Sequence, residues 1–283
     1  MECDHRNEGI NDIAMEYIAS KGGGCSVFEN PAFLDLFGGS VRPGGLAVTR
    51  RAIELSGLKK GDKVLDVGCG YGITVELLGK EYGIMAEGVD ISKTLLDKGL
   101  ERNPELKLAF GDGEMLDYPS RSFHGVFMEC VLSLIENQGE AIHEAYCLLK
   151  KGGKLIISDF YLKKSGDWTK ASEKTDENTK GGNCAGQAHN HGNHGNSLAK
   201  SCLDGAFAPQ ELETMLSETG FKILHKEDKN NELKGFTAAL IMHFGSVDAF
   251  FKSARGESAE ELCLHVNNNY KNAGYFLLIA EKM

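Results

Sequence analysis

The chain has 283 residues, is 41% hydrophobic and carries a formal net charge of −10. It has apolar residues enough for a substantial core and too much negative charge to attract phosphate backbones, and no Lys/Arg cluster interleaved with aromatics offsets that charge locally, so nucleic acid is not expected as a partner. No apolar run approaches the roughly 18 residues of a membrane span, and Met1-Glu2-Cys3-Asp4-His5-Arg6 has no basic head followed by an apolar stretch, so a cytoplasmic protein is expected.

In chain order, residues 1–57 read as an N-terminal helical cap, with helices around Asn11–Ser20 and Leu46–Leu55 separated by the glycine-rich turns 21–25 and 38–45. From Gly61 the pattern alternates: strand Lys63–Val67, helix Thr74–Tyr82, strand Ile84–Val89, helix Lys93–Arg102, then strands at Leu106–Phe110 and Gly125–Glu129. Helix Glu140–Lys150, with Lys151-Gly152-Gly153 as its stop signal, leads to a strand at Lys154–Phe160. Such alternation predicts a parallel α/β sheet. Residues 164–201 are almost free of apolar side chains and rich in Gly, Asn, His, Lys and Ser, which predicts a long exposed insertion. Beyond it come helix Pro209–Thr219, strand Phe221–His225, a helical insertion near 229–272 with apolar surface over Gly235–Ala254 and a break near Gly245, and a closing strand Tyr275–Ala280.

Asp66 ends an apolar strand and is followed by Gly68, Gly70 and Gly72, a spacing that lets the backbone turn tightly and approach a ligand where side chains would clash. A dinucleotide enzyme, or a plain strand-to-helix connection, would share that turn. Asp90, about twenty residues on and at the end of the next strand, is placed to accept hydrogen bonds from ribose hydroxyls. The Gly111-Asp112-Gly113-Glu114 turn and the Leu149-Lys150-Lys151-Gly152-Gly153-Lys154-Leu155 run narrow the choice further.

Over roughly Leu58–Tyr161 these residues resemble the class I S-adenosylmethionine-dependent methyltransferases, in the small-molecule branch that includes ubiquinone/menaquinone and arsenite methyltransferases. The resemblance implies a Rossmann-like, mostly parallel seven-stranded sheet flanked by helices, with a binding core over 58–163 and the C-terminal part of the domain over 202–283. It implies S-adenosyl-L-methionine as cofactor: Asp66, Gly68, Cys69 and Gly70 border its methionine and ribose portions, and Asp90 binds the ribose hydroxyls with Ile91 beside it. Gly111, Asp112, Gly113 and Glu114 border the adenine, and Glu129 faces the methyl donor. Where the family has Phe-Asp before the fourth strand, this chain has Phe123-His124. A lone histidine at a strand start is ordinarily a surface residue, and His124 is assigned no role.

Methyl transfer asks mainly for positioning, so acceptor identity lies in the cap and insertions. Cys202-Leu203-Asp204-Gly205-Ala206 resembles the Cys-x-x-Gly-Ala segment in which arsenite methyltransferases place a cysteine that binds trivalent arsenic; a thiolate suits such a soft centre. Cys25 is the N-terminal candidate for a second thiol. Packing beneath the following helix is the equally weighted reading of Cys202. The eight cysteines are scattered and most are expected to be free thiols. Cys184, His189, His191 and His194 lie in the polar insertion without paired ligand spacing, so no metal site is assigned. Arg42, Arg50 and Arg51 are candidates to meet an anionic substrate, and a solvated helix face accounts equally for the last two. The expected function is methyl transfer to a small-molecule or metalloid acceptor, arsenite being the sharpest candidate. The alternative is a catalytically idle protein that binds S-adenosylmethionine or metal. The sequence says nothing of oligomeric state.

Overall fold

Alternate residues of the central strands enter two different cores, and this sorts the helices onto the two faces of one sheet. Leu65, Val67, Val126, Met128, Leu155 and Ile157 pack with Ala141, Ile142, Ala145, Leu148, Leu212 and Leu216, while Val64, Phe127, Ile156, Leu277 and Ile279 pack with Val48, Ala52, Ile53, Leu77 and Leu78. The computed structural model describes residues 28–163, 202–203, 205–247, 249–250 and 272–283. The expected helix Asn11–Ser20, the turn with Cys25, the insertion 164–201 with Cys184, His189, His191 and His194, and Asp204 lie outside the described residues.

Among the described residues, two helices, α1 (Pro31–Phe37) and α2 (Gly45–Ser56), precede the sheet. There follow β1 (Lys63–Val67), α3 (Ile73–Tyr82), β2 (Met85–Asp90), α4 (Lys93–Arg102), β3 (Leu108–Phe110) and β4 (Phe123–Glu129). A 3-10 turn at Leu132–Leu134 leads to α5 (Gln138–Leu148), β5 (Leu149–Leu162), α6 (Pro209–Thr219), β6 (Phe221–Asp228), α7 (Asn230–Phe244) and β7 (Ala273–Lys282). The seven strands lie in the order β3-β2-β1-β4-β5-β7-β6. β7 runs antiparallel to both neighbours and the other pairings are parallel. The strand order reverses between β1 and β4, which opens a crevice at their carboxyl ends where ligands of open α/β sheets bind.

α1, α5 with β5, and α7 depart most from the sequence expectation. α1 was not anticipated: seven residues are too few to establish a helical period. α5 stops at Leu148 rather than Lys150, because Leu149 turns extended to pair with Phe123, and β5 therefore begins before the glycine stop signal. The carbonyls of Tyr146 and Leu149 accept from Lys282 Nζ at 2.6 and 2.9 Å, so a distant lysine supplies the end of this helix. α7 begins five residues before Gly235, and it ends at Phe244 with Gly245 as its C-cap, as the expected break near Gly245 has it. Its Phe236 stacks on Phe37 of α1 with ring centroids 4.4 Å apart, which joins this helix to the N-terminal helices.

A buried carboxylate fixes the 3-10 turn to β5. Asp159 accepts from Ser133 N, Ser133 Oγ and Phe160 N at 2.9, 2.7 and 2.8 Å, yet burial pushes its pKa up to about 6. Because the folded protein holds this proton more tightly than the unfolded chain, the stabilisation from protonation is full below about pH 4 and is lost as pH rises through about 6. Thermal melts of wild type and Asp159→Asn from pH 4 to 7 should show the wild type gaining about 3 kcal/mol on the variant as pH falls through that window. A constant difference between the two proteins would refute the assignment.

Candidate cofactor and acceptor site

The turn between β1 and α3 is tied to β2 by its own backbone. Gly68 N and Cys69 N both donate to Val89 O, at 2.8 and 3.0 Å. Gly70 N donates to Asp90 Oδ2 at 2.8 Å, and Ser92 N donates to Asp90 Oδ1 at 2.8 Å, so one carboxylate holds the glycine turn and the entry to α4 together. Burial pushes the Asp90 pKa up, opposed by those amides. Gly70 has φ of 53°, and a Cβ there would meet nothing nearer than Leu95 Cδ1 at 3.9 Å, an ordinary contact, so the turn is not crowded at this point. A narrow ligand can approach the backbone there, as an adenosyl cofactor requires.

The other expected cofactor residues reach the same edge. Gly111 N donates to Asp90 O at 3.1 Å and hangs the Gly111–Glu114 turn beside β2. Within it, Asp112 Oδ1 accepts from Glu114 N at 3.0 Å. Gly113 approaches Val67 and Ile135 closely. Glu114 faces away from the turn: its Oε1 accepts from Glu136 N and Asn137 N at 3.1 and 3.3 Å, at the start of α5. Ile91 is exposed at the lip, and Cys69 is buried with its thiol pKa pushed well up by desolvation.

Asp66 and Glu129 form an acidic floor. Asp66 is 3% exposed and makes no side-chain hydrogen bond to another described residue; burial, then Glu129, pushes its pKa well up. Glu129 is locked: Thr49 Oγ1 donates to its Oε1 at 2.8 Å, Thr74 Oγ1 to its Oε2 at 3.0 Å, and Arg42 Nη2 lies 2.8 Å from that Oε2. The cap is thereby bonded to β4 and to the first turn of α3. Arg50 pairs with Glu81 and Arg51 with Glu227 on the surface, so of the three arginines Arg42 is the one brought to the site.

Past Glu129 the chain turns through Cys130, whose φ of 55° is unusual for a residue other than glycine and puts strain at the rim of the sheet. Its Sγ lies 3.3 Å from Tyr275 Oη, which donates to Ser158 Oγ at 3.1 Å. Cys202 is buried in the same cluster, its Sγ 3.8 Å from Cys130 O, with Phe160, Leu203, Leu233 and Tyr275 around the two thiols. Cys69, Cys130 and Cys202 are not joined in disulfides. The structure thus brings Cys202 to the rim beside Cys130, whereas Cys25 lies outside the described residues. Among the described residues no group of three or more His, Cys, Asp and Glu side chains could hold a metal ion. His124 opens β4 at the opposite end from Glu129, where its Nδ1 accepts from Lys63 N at 2.9 Å.

Sequence reasoning missed several of these partners. Thr49, Thr74 and Tyr275 look like ordinary helix and strand residues, and Glu29, whose Oε1 accepts from Ser92 Oγ at 2.7 Å, gives no signal in the chain. Cys130 carried one usable cue, its position directly after the strand that ends in Glu129.

A family described as "Methyltransferase domain" matches residues 58–220, more than half of the chain and the whole span from β1 to the end of α6. The chain belongs to this methyltransferase family. It is similar to phosphoethanolamine N-methyltransferase 1 of Arabidopsis thaliana, 32% identical over 126 residues that make up 43% of this chain and 26% of the relative. A ubiquinone/menaquinone biosynthesis C-methyltransferase of Legionella pneumophila (strain Paris) is 32% identical over 121 residues, 39% of this chain and 48% of that protein. The chain spans about a quarter of the length of the plant relatives it matches. Among solved structures, phosphoethanolamine N-methyltransferase 2 of Haemonchus contortus with S-adenosyl-L-methionine superposes with a TM-score of 0.63 at 19% identity, covering 90% of this chain and 56% of that one. The cyclase SpnF superposes with a TM-score of 0.58 at 21% identity, over 83% of this chain and 80% of that one. The fold is that of the class I methyltransferases that use S-adenosylmethionine. Because a cyclase shares it, the reaction has to be argued from the site. No helix among the described residues is long and apolar enough to cross a membrane.

Proposed function

We propose that the chain transfers a methyl group from S-adenosylmethionine to a small acceptor held over Cys130 and Cys202. The observation that carries the donor half is Asp90, a carboxylate at the end of β2 bonded to the uncrowded glycine turn at Gly70. Ribose hydroxyls donate to that carboxylate, Asp112 and Gly113 border the adenine, and Asp66 and Glu129 lie toward the sulfonium. Positioning of the two reactants accounts for about 7 to 11 kcal/mol of such a barrier, so the protein needs to supply little beyond alignment and a water-poor pocket.

The acceptor reading rests on two buried thiols in a largely apolar cluster that also holds the Tyr275 hydroxyl. Trivalent arsenic or another thiophilic centre matches that chemistry, since soft centres take sulfur ligands. Burial pushes the Cys130 thiol well up, which disfavours a free thiolate and leaves proton release to the arrival of the thiophile. A phosphorylated amine, the acceptor named for the plant relatives, would need cationic groups, and Arg42 is already paired with Glu129.

A methyl-transfer screen with trivalent arsenic, thiols, quinols, phosphoethanolamine and small amines tests both halves. Arsenite should be methylated, and Cys202→Ser should weaken arsenite binding roughly tenfold or more while cofactor affinity stays as in wild type. Turnover of an organic acceptor without arsenite would replace the metalloid by that acceptor. Absence of turnover with every acceptor despite cofactor binding would favour an idle accessory protein.

A further inference from the structure

Tyr275 is fully buried, and a buried phenol needs a partner for its hydroxyl. Its place is set by the backbone. Tyr275 lies opposite Phe160 of β5, its N donates to Asn230 Oδ1 at 3.1 Å, and its O accepts from Lys229 N at 2.7 Å, at the entry to α7. The ring packs edge-on against Phe160 with centroids 5.3 Å apart. What remains free to turn is the hydroxyl hydrogen.

Two groups lie within reach of that hydrogen. Cys130 Sγ is 3.3 Å from Tyr275 Oη, and Ser158 Oγ is 3.1 Å from it. Cys130 and Ser158 are themselves joined, because Cys130 N donates to Ser158 O at 2.8 Å. Thiol, phenol and serine hydroxyl thus form a chain that can run in either direction without any heavy atom moving. In one direction the Cys130 S–H donates to Oη and the phenol donates to Ser158 Oγ. In the other, Ser158 donates to Oη and the phenol donates to the sulfur. The first suits a neutral thiol, which has a hydrogen to give. The second suits a sulfur that has lost its hydrogen, and an O–H is a stronger donor than an S–H. Arg42, which lies in electrostatic reach of Cys130, is bound to Glu129, so the phenol is the neighbour placed to serve the sulfur.

We infer that Tyr275 is a positioning residue for the acceptor thiol. In the resting protein it takes the S–H of Cys130, which aims the sulfur lone pairs away from the phenol, and it turns to donate to the sulfur when the acceptor bonds there. With trivalent arsenic presented as arsenite, an As–S bond forms and an As–O bond breaks. The thiol proton leaves with the displaced hydroxide as water, so the step needs no oxidant. Reversal of the hydrogen-bond chain then gives the sulfur a donor at the moment its own hydrogen is gone. The inference rests on the acceptor reading above and adds to it a residue of the last strand, 145 positions from the thiol it serves.

Infrared spectroscopy of the S–H stretch reads the contact itself, with the Cys130 band identified as the one lost in Cys130→Ser, and calorimetric titration with arsenite reads its consequence. The wild-type band should lie at the low frequency of a hydrogen-bonded thiol. It should move up in Tyr275→Phe, which keeps the ring and removes the hydroxyl. That variant should bind arsenite about two- to tenfold more weakly, the range of one neutral hydrogen bond. Ser158→Ala removes the competing acceptor and leaves the phenol hydrogen to the sulfur alone, so it should bind arsenite about twofold or more tightly. Its Cys130 band should also move, which supplies the readout if Tyr275→Phe does not fold. A ring that served only as packing would leave the band in place and give the two variants no opposite sign. A band unmoved in either folded variant, or arsenite affinity that falls in Ser158→Ala as it does in Tyr275→Phe, overturns the inference. Arsenite binding by wild type with an unmoved band removes this inference alone, whereas no arsenite binding by wild type removes the acceptor reading and this inference with it.

Discussion

Asp90→Ala should weaken S-adenosylmethionine binding by roughly ten- to hundredfold, the loss expected from about 1.5 to 3 kcal/mol of charge-assisted hydrogen bonding. The structure adds a second cost, because the same carboxylate accepts from Gly70 N and Ser92 N at 2.8 Å each. Without it the glycine turn keeps its bonds from Gly68 N and Cys69 N to Val89 O but loses the one from Gly70 N. Asp90→Asn separates the two effects, since an amide oxygen still accepts from one backbone N–H but carries no charge. Calorimetry on the folded variants checks the expectation, and an unchanged dissociation constant for Asp90→Ala would take Asp90 out of the cofactor site.

Gly205→Ala should lower the melting temperature on the order of 10 °C. A Cβ at position 205 would lie 1.9 Å from Ser133 O and 2.8 Å from Ser133 C, and backbone atoms cannot rotate out of the way as a side chain would. Ser133 is itself fixed through its N and Oγ to Asp159, so the strain has to be taken by a buried carboxylate network. Overpacking of this kind costs about 1 to 3 kcal/mol or more, which in a chain of this size corresponds to a shift of several degrees or more. The variant should also lose thiol reach: Cys202, three residues earlier, is placed beside Cys130 by the same close approach. Scanning calorimetry together with arsenite titration reads both effects, and wild-type melting would show that the two segments are free to separate. The glycine of the Cys202–Ala206 segment is thus explained by packing against the 3-10 turn, independently of any metal chemistry.

Much of the binding core was legible because it is written in local rules. Lys63–Val67, Lys93–Arg102 and Pro209–Thr219 begin and end where period, caps and glycines place them. The spacing of Asp66, Gly70 and Asp90 was legible as a tight strand-to-helix turn tied to the next strand, since strand length and the pitch of one helix fix how far apart they fall in space. The polar composition of 164–201 stands as an expectation outside the described residues.

What tertiary structure alone decided are the contacts made between elements remote in sequence. Arg42, Arg50 and Arg51 were all candidates for an anionic substrate in the chain, and only the structure shows Arg42 buried against Glu129 while the other two pair on the surface. Cys130 and Cys202 are separated by 72 positions and meet because β4 and the segment before α6 both end at one rim. The end of α5 is capped by Lys282, from the last strand. A sequence determines which residues can form a strand, a turn or a helix face, because those choices depend on neighbours a few positions away. Which charge is buried, and beside which partner, depends on how the finished sheet sets its edges together, and no short-range period carries that information.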